Sequence, residues 1–203
     1  MNHTRQLTPS ALAYVVTTKR RQYLGVIRLK GAIVSKTIAL FASARRNGNT
    51  GQFINWIAGT LDIQIIDLSE KNISPYDYNH KNINDDFVPV MNQLLNYEKI
   101  IFVTPVYWYG PSAQMKTFID RTSDFLDVED LKDIGRRLRN KTVYIVCTSI
   151  SDDADSSFIN SLKSTFEYLG MNYGGYVHAN CENGYNQDKY VEDVDKFINS
   201  IQE

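Results

Sequence analysis

The sequence predicts a doubly wound α/β fold, a five-stranded parallel sheet in the order 2-1-3-4-5 set between two layers of helices (α/β/α). Two observations predict it. From Lys36 onward, short apolar runs alternate with longer segments of helical periodicity, the pattern of repeated strand–helix crossovers. Two chemically distinctive loops, residues 43–50 and 105–114, each leave the carboxyl end of a predicted strand, the edge where open α/β sheets bind ligands. In the order 2-1-3-4-5 the switch point falls between strands one and three, which carry these two loops.

The elements follow in order. Residues 37–42 form strand one, and 52–60 form helix one, which begins inside the first loop. Residues 62–68 alternate apolar side chains at Ile63 and Ile65 and form strand two. A polar loop over 69–84 leads to a helix over 85–97, whose Phe87, Val90, Met91, Leu94 and Leu95 recur at helical spacing. Residues 99–104 form strand three. Pro111 suits the first turn of the next helix, because its missing N–H would be unpaired there. That helix runs over 112–126 with Met115, Phe118, Ile119, Phe125 and Leu126 on one face, and 131–139 is a basic surface segment. Residues 141–148 form strand four, 156–169 a helix, 172–179 strand five interrupted at Gly174-Gly175, and 188–201 the last helix.

A chain of 203 residues suffices for one such domain with a sizeable core. The formal net charge of −1 gives no reason to expect a nucleic-acid partner. Charge is nonetheless uneven: all nine Lys and Arg before Asp62 stand without an acidic residue among them, whereas 13 basic and 23 acidic residues follow. No apolar run reaches 18 residues, so no membrane helix is expected. Cys147 and Cys181 are isolated, which excludes an iron–sulfur cluster or a cysteine metal site and fits a reducing, cytoplasmic setting. His80 and His178 lack partners at metal spacing and read as structural or surface residues. Lys116 and Asp120, four apart, read as a helix-surface pair.

Residues 1–34 stand apart as a basic extension, outside a domain over 35–203. Three readings fit this segment: a transit peptide, which is Arg-rich and poor in acids, an added hairpin from 13–16 and 24–27, or a natural start later in the chain near Val34.

The first loop suits a phosphate. It opens a helix, whose N-terminus leaves N–H groups unpaired and carries partial positive charge. Ser43, Asn47, Asn49 and Thr50 add short donors, and Gly48 lets the backbone curl around an anion. The alternative is an ordinary strand-to-helix turn capped by Asn49 or Thr50. No Gly-Lys-Ser/Thr follows, and the Gly-x-Gly-x-x-Gly fingerprint is missing, so neither a P-loop nor a dinucleotide site is indicated. The second loop suits a flat aromatic ring: Tyr107, Trp108 and Tyr109 supply aromatic surface and Gly110 permits close approach, where the alternative is a core aromatic cluster. Three consecutive core aromatics would be unusual in a loop. A phosphate and a flat ring together suggest flavin mononucleotide (FMN). A third loop, 148–154, flanks the same edge with hydroxyls that suit a ribityl chain or serve as helix caps.

Ser43-x-Arg45-x-x-Gly48-Asn49-Thr50, followed by Thr104-Pro105-Val106-Tyr107-Trp108 and by Ser112-Ala113-Gln114-Met115-Lys116-x-Phe118-x-Asp120-Arg121, resembles the NAD(P)H-dependent FMN reductase family over residues 35–203. The resemblance implies a flavodoxin-like fold, non-covalent FMN, a homodimer or homotetramer, and two-electron reduction of a small-molecule acceptor (quinone, azo or nitro compound, or free flavin) by NADPH or NADH. It implies that Ser43, Arg45, Asn47, Asn49 and Thr50 hold the phosphate, that Pro105, Val106, Tyr107, Trp108, Tyr109 and Gly110 line the ring, and that Thr148 and Ser149 close its far side. One departure is the third loop, which is acidic where many relatives are Gly-rich. Because flavin carries the redox chemistry, no catalytic acid or base and no metal is expected. Arg45 and Arg46 either pair with the extra phosphate of NADPH or stand as a solvated charge pair. Two other functions compete: an electron carrier without a substrate of its own, against which the small net charge argues, and an interaction protein that keeps the fold without flavin.

Overall fold

The structure, a computed structural model, describes residues 36–203, and the three readings of the leading segment lie outside them. The parallel strands are β1 (Thr37–Phe41), β2 (Gln64–Asp67), β3 (Lys99–Tyr107), β5 (Thr142–Ser149) and β6 (Asn172–Asn180). They pair in the order β2-β1-β3-β5-β6, and the two-residue β4 (Gly110–Pro111) pairs antiparallel with β3 as a hairpin. With β4 set aside, this is the predicted order 2-1-3-4-5.

The helices are α1 (Asn49–Leu61), α2 (Phe87–Leu94), α3 (Ala113–Asp120), α4 (Asp124–Asp127), α5 (Lys132–Arg136), α6 (Ser156–Tyr168) and α7 (Val191–Gln202). Side chains alternate across each strand, so every central strand feeds two cores. Ile38, Leu40, Ile100 and Phe102 face α2, α3, α4 and α6, meeting Phe87, Phe118, Phe125 and Phe166. Ala39, Phe41, Ile101 and Val103 face α1 and α7, meeting Phe53, Ile57, Phe197 and Ile201. No helix of the described residues is long and apolar enough to cross a membrane.

Three elements differ from their sequence-based expectation. The long helix over 112–126 is broken into α3, a 3₁₀ turn (Arg121–Ser123) and α4. At the break the Arg121 side chain turns inward to Asp85 and Asp124, and the Thr122 hydroxyl bonds the Ile119 carbonyl. The segment 131–139 is more than surface, because Leu131 and Leu138 are buried in the core. The interruption at Gly174-Gly175 is a β-bulge against Val143 and Tyr144. A Cβ at Gly174 would lie 2.5 Å from the Tyr144 ring, so glycine leaves room for that ring.

Candidate functional site

A cleft of about 800 Å³ opens at the carboxyl edge of β1, β3 and β5, within the size range of small-molecule sites. Three loops build it. The first, 43–50, contributes Ser43, Arg45, Gly48, Asn49 and Thr50. The hairpin contributes Pro105, Val106, Tyr107, Trp108 and Tyr109, and the third loop contributes Thr148 and Ser149. Asn47 and Gly110 lie outside the lining. Hydrogen bonds tie the three loops together: Thr50 Oγ1 and Thr148 Oγ1 are 2.7 Å apart and buried, Ser112 Oγ donates to the Ala42 carbonyl at 2.9 Å, and the Ser112 amide donates to Thr104 Oγ1 at 2.9 Å.

The N-terminus of α1 points into this assembly without a cap. Gly48 is the residue before the helix, and no side chain caps the first turn. The alternative in which Asn49 or Thr50 caps α1 is therefore not what the fold adopts, and the first N–H groups remain available to an anion. Gly48 has φ −75°, a value open to any residue, so its role is small size: a Cβ there would stand 3.2 Å from the Arg45 carbonyl. The two arginines part company. Arg45 lines the cleft, whereas Arg46 donates to Asn55 Oδ1 at 2.8 Å, lies 3.4 Å from the Asp67 carboxylate and stacks over Phe41.

The second loop is a hairpin with a strained tip. Trp108 has φ 48° and Tyr109 φ 62°, so both central residues of a two-residue turn are left-handed. That is the type I′ geometry, which favours Asn-Gly. Side chains with a Cβ pay about 1–2 kcal/mol each for it. The strain is not repaid by packing, because Trp108 is 97% and Tyr109 70% exposed. Replacing the pair by Asn-Gly is expected to raise the unfolding free energy by about 1–2 kcal/mol in total, read as a higher denaturant midpoint at unchanged slope. Strain held in exposed aromatics at a cleft mouth marks a binding surface.

Five further residues line the cleft: Ile150, Ser151, Asp153, Asp155 and Cys181. Asp155 and Cys181 were not legible as site residues. The signal that could have found Cys181 is its place directly after the last strand, on the same sheet edge. Asp155 caps α6, and its carboxylate accepts from the Ser157 hydroxyl and from the Ser157 amide, bonding that lowers its pKa. Cys147 is buried in β5 outside the cleft, and desolvation pushes its thiol up to about 12. Among the described residues no group of His, Cys, Asp or Glu could hold a metal. Lys116 and Asp120 pair at 2.6 Å on the surface of α3.

An uncapped helix N-terminus beside short hydroxyl and amide donors fits a phosphate, and the aromatic hairpin fits a flat ring, so the residues present suit FMN. Residues 35–185 match the family described as NADPH-dependent FMN reductase.

The chain belongs to the NADPH-dependent FMN reductase family.

It is 27% identical over 150 residues to YwqN of Bacillus subtilis, provisionally named an NAD(P)H-dependent FMN-containing oxidoreductase, a match covering 70% of this chain and 83% of the relative. It is 27% identical over 128 residues to a protein of Pelagibacter ubique named FMN-dependent NADH:quinone oxidoreductase, covering 60% of this chain and 66% of that one. Among solved structures, the Trp repressor binding protein of Bacillus subtilis superposes with a TM-score of 0.59 at 22% identity, covering 81% of this chain and 94% of the other, a likeness of fold. The protein is thus an FMN-dependent NAD(P)H oxidoreductase of flavodoxin-like fold, with FMN as cofactor and NADPH or NADH as electron donor, and its family acts on small electron acceptors. These matches support the enzyme and not the electron carrier.

Proposed function

We propose that the cleft binds FMN through the fourteen residues singled out from the sequence, twelve of which line it while Asn47 and Gly110 shape the two loops from just outside, and that it reduces a quinone, azo or nitro compound, or free flavin. The observation that carries this reading is the uncapped N-terminus of α1 opposite a strained, exposed aromatic hairpin, joined across one cleft. Ser43, Arg45, Asn47, Asn49 and Thr50, with Gly48 keeping the turn tight, hold the phosphate. Pro105, Val106, Tyr107, Trp108, Tyr109 and Gly110 form the slot for the ring, and Thr148 and Ser149 border its far side. FMN held there would supply two-electron redox chemistry between the nicotinamide and the acceptor. The protein's part is to orient both substrates in turn at the same open mouth, between the hairpin and the third loop. The buried Thr50–Thr148 bond keeps the phosphate loop in register with the third loop, so that anchor and ring slot do not drift apart.

Residues 35–203 are the flavin-binding domain in this reading, and residues 1–34 a basic extension. The exposed Tyr107, Trp108 and Tyr109 make an apolar patch consistent with a homodimer or homotetramer. Two free cysteines without a disulfide suit a cytoplasmic protein. The test is an absorption spectrum of FMN-loaded protein under anaerobic conditions. NADPH or NADH is expected to bleach the flavin band, and a small quinone to restore it. A band that persists with both nicotinamides would refute the reading.

A further inference from the structure

The reduction of a quinone by a nicotinamide takes up one proton from solution: NAD(P)H + H⁺ + Q gives NAD(P)⁺ + QH₂. Two side chains in contact link the cleft to a second groove. Ser149 lines the cleft, and its Oγ is 2.7 Å from His178 Nε2. His178 is buried, yet it also lines a second, outer groove of about 640 Å³ along the β6 edge. Its Nδ1 has no protein partner among the described residues, and it is not one of the buried unpartnered side-chain atoms. The Ser149–His178 pair thus joins a residue lining the cleft to a residue lining the outer groove, and both side chains can carry a proton. Asp153 lines both cavities, and the Tyr176 hydroxyl lies 3.3 Å from its carboxylate.

We propose that Ser149 and His178 form a proton relay from the outer groove into the cleft, supplying the proton consumed when the acceptor is reduced. This rests on the assignment of the cleft as the reaction site. The transfer balances as follows. A proton from solvent adds to His178 Nδ1, the Nε2–H proton passes to Ser149 Oγ, and the Ser149 O–H proton passes to the oxygen or nitrogen of the reduced acceptor. The ring is left in the Nδ1–H form, and prototropic exchange with solvent restores Nε2–H before the next turnover. Burial lowers the His178 pKa from its ordinary value and the Asp153 charge opposes this, so the ring rests neutral at pH 7 and gives up a captured proton readily. The other charged groups facing it are few: Asp152 on the same loop, and Asp193 and Lys196 on α7 across the groove. Cys147, its neighbour on β5, has its thiol proton held by desolvation. His178 acts through Ser149 and is a positioning and relay residue, since it does not itself line the cleft.

The test separates the two half-reactions of the FMN-loaded protein by anaerobic stopped flow, alongside FMN titration by fluorescence and histidine NMR. His178→Gln is expected to keep FMN affinity and the rate of reduction by NAD(P)H, and to slow reoxidation by a quinone about tenfold or more. In the wild type the reoxidation rate is expected to fall as pH rises through a pKa below 6.5, and in His178→Gln that dependence disappears. Ser149→Ala is expected to slow reoxidation similarly and to shift the His178 imidazole signal in NMR without any flavin present, while Ser149→Thr, which keeps a hydroxyl, restores both. Unchanged reoxidation and an unchanged pH profile in His178→Gln would overturn the relay. So would loss of FMN affinity in that variant, which would make His178 a structural residue. A wild type that binds no FMN would overturn the site assignment, and the relay with it.

Discussion

Gly51→Ala is expected to weaken FMN binding by at least about 100-fold. Gly51 lies in the first turn of α1, and a Cβ there would sit 1.7 Å from the Arg46 carbonyl oxygen and 2.8 Å from its carbonyl carbon. Both are backbone atoms, so no side-chain rotation relieves the clash. Either α1 or the 43–50 loop must move, and those two parts are the proposed phosphate cradle. Overpacking of this kind costs about 1–3 kcal/mol in stability. Loss of two charge-assisted hydrogen bonds, at about 1.5–3 kcal/mol each, weakens FMN binding by at least about 100-fold. Gly59→Ala provides the control. Gly59 is exposed in the same helix and has nothing within 4 Å of its added Cβ. There the change is expected to leave FMN affinity intact and to add about 0.5–1 kcal/mol of stability, by removing a flexible residue from a helix interior. Thermal melts and FMN fluorescence titrations of the two variants read both effects. Equal FMN affinity in both would contradict this account of the loop.

Arg121→Ala is expected to destabilise the fold by about 3–5 kcal/mol. Arg121 is 1% exposed, the most buried charge of the described chain. Its Nε donates to Asp124 at 2.7 Å, its Nη1 to Asp85 at 2.5 Å and to the Ser74 carbonyl at 3.0 Å, and its Nη2 to the Asn82 carbonyl at 3.0 Å. The guanidinium also lies over the Phe87 ring at 4.9 Å. Asp85 in turn accepts from the Ser74 and Phe87 amides, and Asp124 from His80. One side chain thus fastens the long segment between β2 and α2 to the α3–α4 break. Truncation leaves two carboxylates without their cation in a buried place. A loss of 3–5 kcal/mol corresponds to a melting temperature lower by about 6–20 °C for a chain of this size. Arg121→Lys keeps a charge but not the planar fork, so it is expected to recover only part of the loss. A melting temperature within 2 °C of wild type for Arg121→Ala would show that the network carries little stability.

These two residues also mark where the sequence was legible and where it was not. The strand order and the two informative loops could be read because both follow from simple periodicities: apolar runs of strand length, and loops at the carboxyl ends of strands one and three. The hairpin at Trp108-Tyr109 could not be read, because its type I′ turn lacks the Asn-Gly signature that announces one. The strand was accordingly expected to stop at Thr104, whereas β3 runs on to Tyr107. Arg121 stood inside the motif that carried the family resemblance, but its role depends on Asp85, 36 positions away in sequence, and on backbone carbonyls of a loop with no periodicity. The break after Asp120 was hidden for the same reason, since Phe125 and Leu126 extend the helical stripe in sequence. Gly51 shows the same limit on a smaller scale, because the two atoms nearest an added Cβ are backbone atoms of Arg46 in the loop before α1, invisible to any residue-type pattern. In the candidate cleft, the lining from the first loop and the hairpin was legible by chemistry. Asp155 and Cys181 enter through the geometry of the third loop and the end of β6.

The most direct test of the central claim, that the α1 N-terminus and its loop are a phosphate anchor for a flavin held against the hairpin, compares FMN with riboflavin. The two ligands differ only in the phosphate. Titration of the purified protein, followed by quenching of flavin fluorescence, is expected to show FMN binding at least about 100-fold more tightly than riboflavin, the worth of two charge-assisted hydrogen bonds. Equal affinities for the two ligands, or no binding of FMN at all, would contradict the account.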